Sequence, residues 1–168
     1  MSNNLSRFGY LDDDDVAARL PSPDRLKRGP VAILECIQDI PCNPCEKACP
    51  FQAIEVGTPI TNLPKLDPDK CIGCGSCIAK CPGLAIFVVD CSSDDDYGFV
   101  QLPYEYFPLP KIGDSVDGFD RGGRFITTAK VTKIVPGQDR TVVVTIRLPQ
   151  KYAQTVRAIR VSGRNSNE

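Results

Sequence analysis

Histidine is absent from the 168 residues, so no imidazole is available for general acid or base work, and many enzyme classes drop out at once. An excess of positive charge is lacking as well. The formal net charge is −1, which gives no basic face of the kind that nucleic acid requires. No apolar run approaches the roughly 18 residues of a membrane span. The stretch from Met1 to Asp15 is polar and acidic, not basic then apolar, so no signal peptide is expected and the chain reads as cytoplasmic. No G-x-G-x-x-G fingerprint occurs, and the chain is expected to bind neither flavin nor NAD by itself. Cysteine, finally, is missing from everything after Cys91.

What remains is a chain that is 42% hydrophobic, enough for a compact core, with nine cysteines crowded into its middle. Eight of them lie between Cys36 and Cys81, whereas a disulfide framework would spread over the fold that it staples. The odd count and the lack of an export signal point the same way, towards metal. Composition divides the chain into an extended N-terminal arm (1–29), a cysteine-rich domain (30–91), a β-rich module (97–162) and a flexible tail (163–168). In the arm, the acidic run Asp12 to Asp15 reads as a solvated face and Pro21-Ser22-Pro23 as a breaker.

An internal repeat runs through the cysteine-rich part. The segment from Cys45 to Val56 aligns with that from Cys77 to Val88, each reading as cysteine loop, short helix, Cys-Pro stop and buried strand. Val31 to Glu35 supplies a further strand before the first loop. The second loop, Cys71-Ile72-Gly73-Cys74-Gly75-Ser76-Cys77-Ile78-Ala79-Lys80-Cys81-Pro82, follows the C-x2-C-x2-C-x3-C-P pattern without departure. Three thiolates so close together can wrap one iron–sulfur cubane, and Gly73 and Gly75 let the backbone turn its amides towards the sulfurs. The first loop departs from the pattern. It reads C-x5-C-x2-C-x3-C-P, with Asp39 at the usual first cysteine position and Cys36 three residues earlier. Either the loop bulges to bring Cys36 to the iron, or Asp39 coordinates through oxygen, or that corner is empty and the cluster is [3Fe–4S]. Thiolate is the softer and more usual iron ligand, so Cys36 ranks first. Zinc fits the spacing poorly, because its sites use four ligands, usually as two separated pairs.

From Cys36 to Val89 the chain resembles bacterial 2[4Fe–4S] ferredoxins, which implies a ferredoxin-like α+β domain that carries single electrons at low potential. In that family the fourth cysteine of each run serves the other cluster. The resemblance therefore implies Cys36, Cys42, Cys45 and Cys81 for the first cluster, and Cys71, Cys74, Cys77 and Cys49 for the second. Cys91 is left over as a small buried hydrophobe. Ile37, Ile40, Ile72, Ile78 and Ile86 are expected to keep water from the clusters. The stretch Ile33 to Cys45 also resembles iron–sulfur subunits of flavin-dependent dehydrogenases acting on proline-like or hydroxyproline-like amino acids. That implies a flavoprotein dehydrogenase partner. Bound clusters with their thiolates make the holoprotein more acidic than its formal charge, so a partner with a basic docking face is expected.

The remainder alternates as strands do, most clearly Val142, Val144, Ile146 and Leu148. Pro136 to Asp139 reads as the turn of a hairpin whose first strand is Phe125 to Val135. Gly113-Asp114, Gly118 and Gly122-Gly123 mark further turns, giving a small, mainly antiparallel β-barrel or meander closed by a short helix near Gln150 to Ala158. Arg121-Gly122-Gly123-Arg124 lacks the lysine and the setting of a phosphate loop and reads as a β-turn. The module is assigned to docking. With no cysteine in it, a fragment ending near Ser93 is expected to keep both clusters.

Overall fold

A computed structural model describes residues 3–137 and 140–161. Gln138 and Asp139 of the expected turn, and the tail, lie outside the described residues. The fold is α+β, with five short helices and nine strands among the described residues. Val31–Leu34 (β1) and Ile86–Asp90 (β4) pair antiparallel, Val31 opposite Val89. Ile54–Glu55 (β2) and Lys65–Leu66 (β3) form a separate two-stranded sheet. Pro44–Ala48 (α4) and Ser76–Lys80 (α5) are the short helices that each Cys-Pro step ends.

The later strands are Tyr97–Tyr104 (β5), Ser115–Phe119 (β6), Phe125–Pro136 (β7), Val142–Pro149 (β8) and Ala158–Val161 (β9). They do not stand apart from the cysteine-rich half. One antiparallel sheet runs β1-β4-β5-β8-β7-β6-β9, with Val89 of β4 opposite Val100 of β5. The β7–β8 hairpin forms, but β5 returns beside β8 and not beside its successor β6. The change in composition near residue 97 therefore marks no break in the sheet.

Alternation on β1 and β4 explains their unbroken apolar sequences, since both faces are covered. Ala32, Leu34, Ile86 and Val88 pack with Cys45, Cys77 and Ile78. Val31, Ile33, Phe87 and Val89 face the other way, into a core shared with Val100, Leu102, Val144, Ile146 and Leu148. Burying each such side chain contributes about 1.5–3 kcal/mol, so these four alone account for roughly 6–12 kcal/mol, comparable to the whole stability of an ordinary domain. A fragment ending near Ser93 would leave this face bare.

Three expectations need correction. The first 29 residues are not extended: Asn3–Phe8 (α1), Asp13–Val16 (α2) and Pro23–Lys27 (α3) are helical, with a 3-10 turn at Ala17–Arg19. Asp12 caps α2 in a reciprocal capping box with Asp15, and Ser22 caps α3 ahead of Pro23; buried Val16 and Leu26 anchor them. The helix near Gln150 shrinks to a 3-10 turn, Gln150–Tyr152. Gly118 lies inside β6 at a register shift, where a Cβ would approach Thr127 O to 3.1 Å.

Candidate metal centre

Two small apolar cavities lie between the helices and loops of the cysteine-rich half. One is lined by Cys49, Cys71, Cys74 and Cys77 together with Ala32, Ala53 and Ile72. The other is lined by Cys36, Cys42, Cys45 and Cys81 with Gln38, Ile40 and Ile86. Each cavity thus gathers three cysteines of one loop and the last cysteine of the other. The crossing arises because Cys49 and Cys81 stand at the C-terminal caps of α4 and α5, beyond the thiols that begin each helix. Cys36 lines its cavity while Asp39 is exposed, so the three extra residues of the first loop form an outward bulge.

The second loop turns at Gly73 (φ +66°) and Gly75 (φ +80°), left-handed conformations that glycine adopts without steric cost. A Cβ on Gly73 would come within 2.4 Å of Pro30 Cβ. Gln101 Nε2 of β5 donates to Gly73 O at 3.1 Å, so the late sheet braces this turn. In the first half, Glu46 accepts from Val56 N at 2.8 Å and Gly57 N at 3.1 Å, tying α4 to the chain that leaves β2.

The donor set suits an iron–sulfur group. Backbone amides point at three of the sulfurs: Ala53 N to Cys49 Sγ at 3.2 Å, Ala85 N to Cys81 Sγ at 3.5 Å and Ala32 N to Cys71 Sγ at 3.4 Å. The first two occupy matching places in the repeat. Burial, with neighbouring thiols adding to it, pushes Cys45 up to about 11 and Cys77 up to about 12. Burial and the nearness of Cys81 and Cys36 also raise Cys42. Thiols crowded in this way give up their protons when metal supplies the compensating charge. Among the described residues no three histidine, cysteine, aspartate or glutamate side chains converge as they would round a single ion. The four thiols of each set line one cavity, as they do about a cage with an iron at each corner.

Of the isoleucines expected to exclude water, Ile78 and Ile86 are buried. Ile40 and Ile72, at 46% and 53% exposure, form cavity rims with Phe51 at 43%. Cys91 is buried in the main core, away from both cavities.

Several residues that brace the site carry no local motif. Glu35, next to Cys36, is buried and accepts from Arg121 Nε at 2.9 Å and from Arg157 Nε at 2.7 Å. Burial alone would raise its carboxyl, but hydrogen bonds and charge from the two arginines outweigh that and hold it below its ordinary value. Arg121, in the β6–β7 turn, also reaches Asp13 of α2 at 3.0 Å. This ion network ties the start of the first loop to both ends of the chain. The only signal was Glu35 closing an apolar strand, where a lone carboxylate needs a partner.

Two interlocked four-thiol cradles define a dicluster iron–sulfur protein. Residues 35–85 match the 4Fe-4S dicluster domain family. The chain is 33% identical over 63 residues to "Ferredoxin 7Fe" of Hydrogenibacillus schlegelii, covering 38% of this chain and 77% of that protein. It therefore belongs to the bacterial ferredoxin family, and it carries two [4Fe–4S] clusters. It is also 50% identical over 38 residues to one subunit of the Na(+)-translocating ferredoxin:NAD(+) oxidoreductase complex of Acetobacterium woodii, covering 23% of this chain and 11% of that protein. "Protein Pixie" of Drosophila melanogaster is 29% identical over 121 residues, covering 62% and 19%. The chain thus spans between about a tenth and a fifth of the length of these two longer relatives. No solved structure matches. Among the described residues no helix is long and apolar enough to cross a membrane.

Proposed function

We propose that the chain is the electron-transfer subunit of a multisubunit oxidoreductase, relaying single electrons through its two clusters to or from a flavoprotein dehydrogenase subunit. The observation that carries this reading is the interlocking of two cysteine cradles through Cys49 and Cys81, beside a cysteine-free β-rich body. Cys36, Cys42, Cys45 and Cys81 hold one cluster, and Cys71, Cys74, Cys77 and Cys49 the other. When bound, each cluster takes up and gives back one electron. The residues of the chain do the rest. Amides of Ala32, Ala53 and Ala85 donate to ligand sulfurs, Ile78 and Ile86 keep water out, and Phe51, Ile72 and Ile40 offer apolar rims where a redox partner can approach.

In this reading residues 1–29 and 97–162 attach and orient the subunit, and 30–91 carry the clusters. Exposed Tyr106, Phe107 and Ile112, in the connection between β5 and β6, give the later part apolar surface for attachment. Relatives whose names place them in oxidoreductase complexes support a subunit over a free carrier. The resemblance of Ile33 to Cys45 supports a partner that oxidises proline-like amino acids. The test is anaerobic isolation of the tagged chain from its natural host, with iron and flavin counted per chain. About eight irons with stoichiometric flavin, and cluster reduction on adding the partner's amino acid, are expected. About four irons would overturn the two-cluster relay, and a flavin-free monomer serving unrelated acceptors would make the protein a free ferredoxin.

A further inference from the structure

Arg25 lies on α3 and is only 7% exposed, yet its guanidinium spends itself entirely on backbone carbonyls. Nε donates to Pro68 O at 2.6 Å and Nη1 to Gly29 O at 3.0 Å. Nη2 donates to Pro30 O at 3.1 Å and to Cys71 O at 2.7 Å. Among the described residues no carboxylate pairs with it. The charges beside it, Arg28 and Asp69, are exposed and answer each other at 2.7 Å. Half-buried Arg121 and buried Arg157 differ, because they share Glu35.

Solvent screens the Arg25 guanidinium little. Burying such a charge without a counter-ion costs free energy that the carbonyl dipoles offset in part. A neutral donor could staple the same turns. What arginine adds is a positive charge fixed to the carbonyl of a cysteine that lines the second cradle. The form of a cluster with one more electron is favoured by nearby positive charge, because net charge and surroundings set its potential.

We propose that Arg25 is a positioning residue that raises the reduction potential of the cluster held by Cys49, Cys71, Cys74 and Cys77, while clamping the turn that presents Cys71. The proposal rests on the ligand set given above, whose own failure would show as a wrong iron count in the unaltered protein. The test uses the full-length, cluster-loaded chain and its Arg25→Gln, Arg25→Met and Arg25→Lys variants. Each is titrated reductively with dithionite, and each cluster is followed through its hyperfine-shifted cysteine β-proton signals. Removing the charge should lower the reduced-to-oxidised ratio of one cluster about tenfold at fixed ambient potential, about 59 mV for a one-electron couple. The other cluster should not move, and lysine should stay within about twofold of the unaltered protein. Arg28→Gln, which removes only an exposed charge, should leave both clusters alone. Arg25→Gln keeps a donor without the charge and decides the matter should Arg25→Met not load. Unchanged potentials in a loaded neutral variant, equal shifts at both clusters, or loss of iron from all three variants would each overturn the proposal.

Discussion

Between Cys71 and Cys77 three thiols are brought round a cavity by two left-handed glycines, while the span from Cys36 to Cys45 does the same work with no glycine and two prolines. The compact loop is held from outside, by the Arg25 clamp on one side and Gln101 on the other. The long loop carries Asp39 and Pro41 into solvent while Gln38 and Ile40 stay at the rim of its cavity, and it is held at its ends by Glu35 and by Cys42 N donating to Ile60 O at 3.1 Å. A longer excursion costs more chain entropy to order, and anchors at its ends limit that cost. The same cradle can thus be reached by tight backbone geometry or by a pinned bulge, and the two should fail differently.

The largest effect should come from a change that spares neither loop. Ending the chain after Ser93 removes the strands that cover Val31, Ile33, Phe87 and Val89 and takes away Arg121, Arg157 and Gln101. Such a fragment should not accumulate as folded, cluster-loaded protein, as circular dichroism and iron assay would show. A soluble fragment with about eight irons would mean that the cysteine-rich half carries its own stability.

Next in size, Cys81→Ala should empty the cradle of the long loop although the residue sits at the end of the short loop's helix, and Cys49→Ala should do the reverse. Iron per chain should fall by about half in each, with different electron paramagnetic resonance signals surviving. The same signal surviving in both would break the crossing.

Gly73→Ala should strike the compact loop alone. A side chain there meets Pro30 and has to adopt φ +66°, a strain of order 1–3 kcal/mol before the clash is counted. Asp39→Asn in the exposed bulge should leave both clusters in place. Comparable iron loss in the two variants would erase the distinction between a tight turn and a pinned bulge. The smallest effect is expected for Cys91→Ser. It should keep both clusters and cost about 1 kcal/mol in thermal or denaturant unfolding, from burying a hydroxyl. A clear fall in iron would mean that the ligand assignment is wrong.

The cysteine runs, the repeat, β4 and the β7–β8 hairpin could be read from the sequence because each is a local pattern of spacing or alternation. The helices of the first 29 residues could not, since elements of four to six residues owe their existence to caps and to buried Val16 and Leu26. Sheet continuity escaped for another reason. Which strand lies opposite Val88 is a tertiary choice, and the edge could have been covered by many things besides Gln101. The turn expected at Arg121-Gly122-Gly123-Arg124 is closed one residue earlier, by Gly123 N donating to Asp120 O, and nothing nearby reveals that Arg121 reaches Glu35 and Asp13.

The seven-stranded sheet also bears on self-association. A bare β1–β4 hairpin would present the open backbone of β4 to any passing strand, a hazard that grows as protein accumulates. Here β5 occupies that edge, and the far border of the sheet falls to β9, four residues long, whose Arg160 is paired with Asp117 at 3.2 Å. A short border strand with a charged side chain is a poor template for further strand addition. The edge of β4 is thereby closed to strand addition, while β1 forms the sheet's other border, where the Ala32 amide is turned to Cys71 Sγ at 3.4 Å.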